Sequence, residues 1–196
     1  MPDSVWTGTI EAFRARVGGT GPVPAGVSVS AVSASLALAL LAKVLDITGK
    51  RKSFAGDRER LTALIDTART ESSTLTRLAD EDVEAFDLYL EATRSGDAEL
   101  TARAASLTIK VPMEGARSAL RGLEVCVEAT SLVSGLTAAD LGMAAKLLDA
   151  AVRAMLLSVD FNVKKMDAEA GILAERRDIE DRSTRHARSV LAAILS

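Results

Sequence analysis

From Val27 to Leu45 nearly every residue is Ala, Ser, Val or Leu, and Lys43 carries the only charge in that stretch. A helix apolar on one stripe lies on a surface, whereas one apolar all round lies at the centre of a protein or in a membrane. A membrane-spanning helix needs about 20 mostly apolar residues. Here Ser28, Ser30, Ser33 and Ser35, then Lys43, interrupt the run, and no second candidate span follows. The stretch also begins too far inside the chain for a secretory signal. The expectation is an inner helix of a bundle, with no membrane partner, whose small side chains let neighbouring helices approach closely. A Pro/Gly loop, Gly18 to Pro24, precedes it, and Gly49 is the expected C′ glycine at its end. Lys50, Arg51 and Lys52 follow. They either complement the helix dipole or clamp the carboxylates or phosphates of a ligand.

The rest of the chain reads as amphipathic helices. Residues 1–17 form a short opening helix capped by Ser4 or Thr7, with Val5, Trp6, Ile10, Phe13 and Val17 at helical spacing. Asp57 opens a long helix to about Thr93, broken by Ser95-Gly96-Asp97. On it, Asp82 lies one turn from both Leu78 and Phe86, on the apolar face, while Asp80, Glu81 and Glu84 read as a solvated face. An unpaired carboxylate in an apolar setting is costly and its pKa rises. That is the property a general acid or base needs near neutral pH, although a structural Asp bonded to a neighbouring helix has the same signature.

A helical piece over 98–110 is expected to end at Val111-Pro112, because Pro disrupts a helix interior. A new helix then runs from Met113 to Val133 with Cys126 in the core. Thr137 is the expected N-cap of a long helix from Ala138 to Lys165, with Asp140 in its first turn and Asn162 and Met166 near its end. A last helix spans about Ala168 to Leu195. No strand pattern is convincing. The fold class is all-α, an antiparallel bundle of five or more long helices, in a single domain over 1–196. The apolar content exceeds what one bundle would bury, which points to a homodimer.

A net charge of −3 and a 3% aromatic content argue against a nucleic-acid partner. A single cysteine excludes an intramolecular disulfide, and no Cys/His cluster suggests a metal site. With no targeting segment, the cytoplasm is the expected location.

Together these residues resemble the cyclodeaminase/cyclohydrolase family, which includes formiminotetrahydrofolate cyclodeaminase and the methenyltetrahydrofolate cyclohydrolases of the same fold. The family's glycine loop aligns with Pro24-Ala25-Gly26-Val27-Ser28-Val29-Ser30-Ala31, and its glycine with two basic residues aligns with Gly49-Lys50-Arg51. The acidic motif is intact as Asp80-Glu81-Asp82-Val83-Glu84-Ala85-Phe86, and Val111-Pro112 precedes the middle helix. The motifs at the two ends of the long helix become Ala139-Asp140 and Ser158-Val159-Asp160-Phe161-Asn162.

The resemblance implies a dimeric bundle that binds a tetrahydrofolate derivative between subunits, with no further cofactor. It implies Asp82 as the acid/base residue and Pro24, Gly26 and Ser28 in the substrate loop. It places Lys50 and Arg51 near the ligand's anionic end, and Asp140 and Asn162 in the folate pocket. The implied reaction is either cyclodeamination of 5-formiminotetrahydrofolate or hydrolysis of 5,10-methenyltetrahydrofolate. A non-catalytic folate- or anion-binding dimer and an enzyme acting on another heterocycle are the alternatives. The chain departs from the family pattern at Ala25 and Val27, where the loop has glycines, and at Ser134, Ala139 and Ser158. A valine would be strained wherever the loop needs positive φ.

Overall fold

The structure, a computed structural model, describes residues 4–164 and 170–195. Helices α1 (Ile10–Val17), α2 (Gly26–Lys50), α3 (Arg58–Ser95), α4 (Ala98–Ala129), α5 (Thr137–Val163) and α6 (Ala170–Leu195) form an all-α bundle. Lys165, Met166 and the expected start of the last helix at Ala168 lie outside the described residues. Short connections make successive helices antiparallel. The ring α2–α3–α4–α5 closes because α5 packs back on α2, and α6 lies over α4 and α5. The apolar α2 contributes Ala31, Ala34, Ala37, Leu38, Leu41, Val44 and Leu45 to the core, all fully buried. It is also the one described helix long and apolar enough to cross a membrane, by length and composition alone.

Capping residues place the breaks as the sequence predicts. Asp57 accepts the amides of Glu59 and Arg60, at 2.9 and 3.1 Å. Asp97 accepts those of Glu99 and Leu100, at 2.9 and 3.0 Å. Between α3 and α4, Gly96 takes φ +73°, a left-handed conformation that suits glycine.

Five expectations are corrected. The opening helix starts at Ile10, with Thr9 accepting the Ala12 amide. Residues before it are instead pinned to α3: Ser4 Oγ and the Val5 amide each donate to Asp80 at 2.7 Å, and Trp6 Nε1 donates to the Thr76 carbonyl. Asp80 is therefore an anchor and not part of a solvated face. Gly49 has no positive φ and α2 continues to Lys50. Its missing side chain serves packing, since a Cβ there would fall 2.6 Å from Leu61 Cδ2. Pro112 does not end a helix: α4 runs unbroken from Ala98 to Ala129 with the proline inside. Thr137 opens α5 without a side-chain cap, because its hydroxyl instead accepts Arg51 Nη2 at 2.7 Å.

Close approach at the bundle centre depends on small residues. A Cβ on Gly122 of α4 would stand 2.7 Å from Leu38 of α2 and 3.2 Å from Leu148 of α5. Gly122→Val should therefore lower stability by about 1–3 kcal/mol through overpacking, despite the better helix propensity of valine. Urea denaturation checks this, through a lower midpoint at unchanged m value.

Candidate active site

Asp82 projects from α3 onto the N-terminus of α2. Its Oδ2 accepts the Ser28 amide at 3.1 Å and the Ser28 hydroxyl at 2.8 Å. The first amides of a helix have no partner within it, and the residue at the N-cap of α2, Ala25, has no side-chain acceptor. Asp82 therefore supplies the cap from another helix. Ser28 is fully buried, and its Oγ also lies 3.1 Å from the Ala79 carbonyl. A hydroxyl has one proton to give. With Asp82 ionised, that proton goes to Oδ2. With Asp82 protonated, the acid donates to Oγ and the hydroxyl turns to Ala79. Both protonation states leave the buried polar atoms satisfied.

Burial pushes the Asp82 carboxyl above the usual aspartate range. The two bonds from Ser28 pull it part of the way back, and no cation among the described residues acts on it. The contrast within the same helix is Glu71, which is buried but held by Arg121 and by Ser118 Oγ.

Asp82 borders a cleft of about 970 Å³, a size that suits a small-molecule ligand. Its walls come from the loop and start of α2 (Pro22, Val23, Ala25, Gly26 and Val27), from Phe86, Tyr89 and Thr93 of α3, from the first half of α4, and from the last turns of α5. Gly26 lines the cleft, and a Cβ there would meet nothing within 4 Å. Ala25 and Val27 line it too. Ala25 has φ −128°, and among the described residues no non-glycine takes positive φ. The replaced glycines thus impose no backbone strain. Pro24, reached through a cis Val23–Pro24 peptide, is buried and lies off the cleft wall. Asn162 is on the wall, with Nδ2 donating to the Thr108 carbonyl at 2.9 Å.

The remaining expected site residues lie elsewhere. α2 places Gly26 and Lys50 at opposite ends of 25 residues, about 36 Å apart at ~1.5 Å per residue. Along α5, Asp140 and Asn162 are separated in the same way, by about 33 Å. Asp82, Ser28, Gly26 and Asn162 therefore cluster at one end of the bundle, and Lys50, Arg51 and Asp140 at the other. Arg51 there donates to the Ser134 carbonyl at 2.8 Å and to Thr137 Oγ1, tying the end of α2 to the α4–α5 turn. Lys50 is exposed and Asp140 half-buried.

Sequence reasoning missed Tyr89, Leu157 and Phe161 as cleft residues. Leu157 and Phe161 continue an outward apolar row on α5, Met143-Leu147-Ala154-Leu157-Phe161, whose helical spacing was readable. Among the described residues no group of three or more His, Cys, Asp or Glu side chains is placed to hold a metal ion.

Comparison with known proteins follows the same lines. The family model for formiminotransferase-cyclodeaminase matches residues 9–180. A methenyltetrahydrofolate cyclohydrolase of Methylorubrum extorquens is 26% identical over 193 residues, covering 89% of this chain and 93% of that protein. The crystal structure of formiminotetrahydrofolate cyclodeaminase from Thermotoga maritima matches with a TM-score of 0.92 over 97% of this chain and 98% of its own. Its sequence identity is 22%, so this likeness establishes the fold.

The raised Asp82 pKa has a consequence for stability. A carboxyl whose folded pKa exceeds its unfolded value favours the fold most when protonated. That contribution is complete below the ordinary aspartate pKa of about 3.9 and is lost as pH rises through the higher folded value. Asp82→Asn keeps the hydrogen-bonding shape without the charge. Its melting temperature should equal or exceed that of the wild type at pH 7, with the gap closing towards pH 4, in thermal melts across that range.

Proposed function

Because the chain belongs to the formiminotransferase-cyclodeaminase family, we propose that it is an enzyme of one-carbon tetrahydrofolate chemistry. It closes 5-formiminotetrahydrofolate to 5,10-methenyltetrahydrofolate with loss of ammonia, or opens the methenyl ring with water to 10-formyltetrahydrofolate. The observation that carries this reading is Asp82, a carboxyl with raised pKa and no cationic partner among the described residues, held by Ser28 on the wall of a ligand-sized cleft. In the first reaction N10 attacks the formimino carbon, Asp82 takes the N10 proton, and the same proton goes to the departing amine. In the second, Asp82 takes one proton from the attacking water and returns it to N5 as the carbon–N5 bond breaks, and the remaining hydroxyl proton leaves to solvent as the formyl C=O forms. Such general acid–base help is worth roughly 10²–10⁴-fold. Neither reaction changes an oxidation state, so the proposed chemistry needs no redox cofactor. Phe86, Tyr89 and Phe161 offer the pterin and benzoyl rings an apolar wall. The cytoplasm is the proposed location.

The split between the two ends of the bundle supports a dimer as the working unit. α2 and α5 are antiparallel neighbours, and both turn apolar side chains outward: Leu36 and Ile47 on α2, Met143, Leu147 and Leu157 on α5. A second copy laid antiparallel on this face covers those side chains. It also brings the partner's Lys50, Arg51 and Asp140 end beside the Asp82 end of the first copy. The cations then meet the glutamate carboxylates of the folate tail, and Asp140 lies within reach of the bound ligand. Arg51 already bonds Ser134 and Thr137, so Lys50 is the freer of the two for this task.

The test follows the near-ultraviolet absorbance of the methenyl chromophore. Its appearance from 5-formiminotetrahydrofolate above the uncatalysed rate marks a cyclodeaminase, and its faster disappearance from 5,10-methenyltetrahydrofolate marks a cyclohydrolase. Asp82→Asn should keep its circular dichroism and lose turnover by at least about 10²-fold; full activity in that variant removes Asp82 from the chemistry. Two flat traces from folded wild-type protein would favour a non-catalytic folate-binding module or a different heterocycle. Light scattering should give the dimer mass at micromolar concentration, and a monomer mass refutes the shared site.

A further inference from the structure

The proline inside α4 does something that the fold alone does not need. In an α-helix each carbonyl is bonded by the amide four residues on, and proline has no amide hydrogen to offer. Pro112 therefore leaves the Thr108 carbonyl without its helical donor. Thr108 lies on the cleft wall, and a side chain from α5 fills the gap: Asn162 Nδ2 donates to the Thr108 oxygen at 2.9 Å. A second approach, to Ser158 Oγ at 3.5 Å, is longer and on the same side-chain nitrogen. A carbonyl oxygen only accepts hydrogen bonds, so the atom facing it must be the amide nitrogen, and the orientation of the Asn162 amide is decided by chemistry. Its Oδ1 has no partner among the described residues and is not sealed in the interior, and the residue lines the cleft.

We propose that Pro112 is a positioning residue for the cleft: by withholding an amide it frees Thr108 to hold Asn162, which then presents a hydrogen-bond acceptor to the ligand. The cleft at that point reads an N–H donor edge, such as an amino or ring N–H group of a heterocycle, and disfavours an acceptor edge. Pro112 itself acts from outside the cleft, through Thr108 and Asn162. The inference rests on the folate reading for its choice of ligand and on nothing else in it.

Pro112→Ala restores the helical donor to Thr108 and suits a helix interior, so the chain should fold with an unchanged or higher melting temperature; Pro112→Val repeats the test at closer side-chain volume. In whole wild-type protein, heteronuclear NMR should show the Asn162 side-chain amide protons shifted and slow to exchange. In either proline variant they should move towards the values of a free side chain. Unchanged resonances overturn the proposal, whatever the protein binds. With tetrahydrofolate as the probe, calorimetry should show Pro112→Ala binding about tenfold more weakly, the worth of about one hydrogen bond. Turnover at saturation should fall much less. Asn162→Ala should lose about the same affinity, and the double variant no more than either alone, since both changes remove one contact. Losses that multiply in the double variant, wild-type affinity in Pro112→Ala, or a complex in which Nδ2 and not Oδ1 meets the ligand each overturn it. A wild-type protein that binds no tetrahydrofolate defeats the folate reading instead, and the resonances then decide the positioning role by themselves.

Discussion

The first amides of a helix have no partner within it and must find one outside. α2 enters the bundle through Ala25, which has nothing to offer them. Its cap comes from Asp82 on α3, through Ser28. This one contact links the packing of the central helix to the chemistry of the cleft. It holds the α2 start against α3, sets the direction of the carboxylate, and leaves that carboxylate with no cation among the described residues. Glu71, eleven residues earlier on the same helix, shows the other outcome, since Arg121 neutralises it and Ser118 donates to it between α3 and α4. A buried carboxylate that is fully paired is structural. One that is bonded only by neutral donors can still exchange a proton, because burial raises its pKa and no opposing charge lowers it again.

The bundle also separates what the proposed reaction has to join. The long helices run the length of the molecule, so residues at opposite ends of α2 or α5 stay more than 30 Å apart on the ~1.5 Å rise per residue. Antiparallel packing of α2 on α5 places Gly26 near Asn162 and Arg51 near Thr137. It thereby creates two different polar ends with an apolar face between them. Two-fold pairing across such a face would bring unlike ends together twice over, which is the simplest way for a chain of this shape to build a two-ended site.

The substituted loop shows how a motif can change without its geometry failing. Glycine is required where φ is positive or where a side chain would block a neighbour. Neither condition applies at Ala25, and Val27 is an ordinary helical residue whose side chain is buried. What the replacements change is the lining of the cleft, through the added methyl groups of Ala25 and Val27, so their effect falls on ligand shape and not on folding.

Periodicity, capping residues and composition by themselves determined that the chain is a helical bundle, that Asp57 opens a helix and Ser95-Gly96-Asp97 breaks one, and that Asp82 and Asn162 face inward. These follow from local chemistry: the helical repeat, the cost of burying charge, and the donors that each helix start leaves open. Only the tertiary structure decided the rest. It continued α4 through Pro112, because Asn162 from a helix 50 residues later in sequence satisfies the carbonyl that the proline abandons. It turned Asp80 into an anchor for the first residues and moved Thr137 from capping a helix to holding Arg51. It sorted the expected site residues into two ends. Each of these outcomes depends on a hydrogen-bond partner distant in the chain, and local spacing carries no record of which distant partner will arrive.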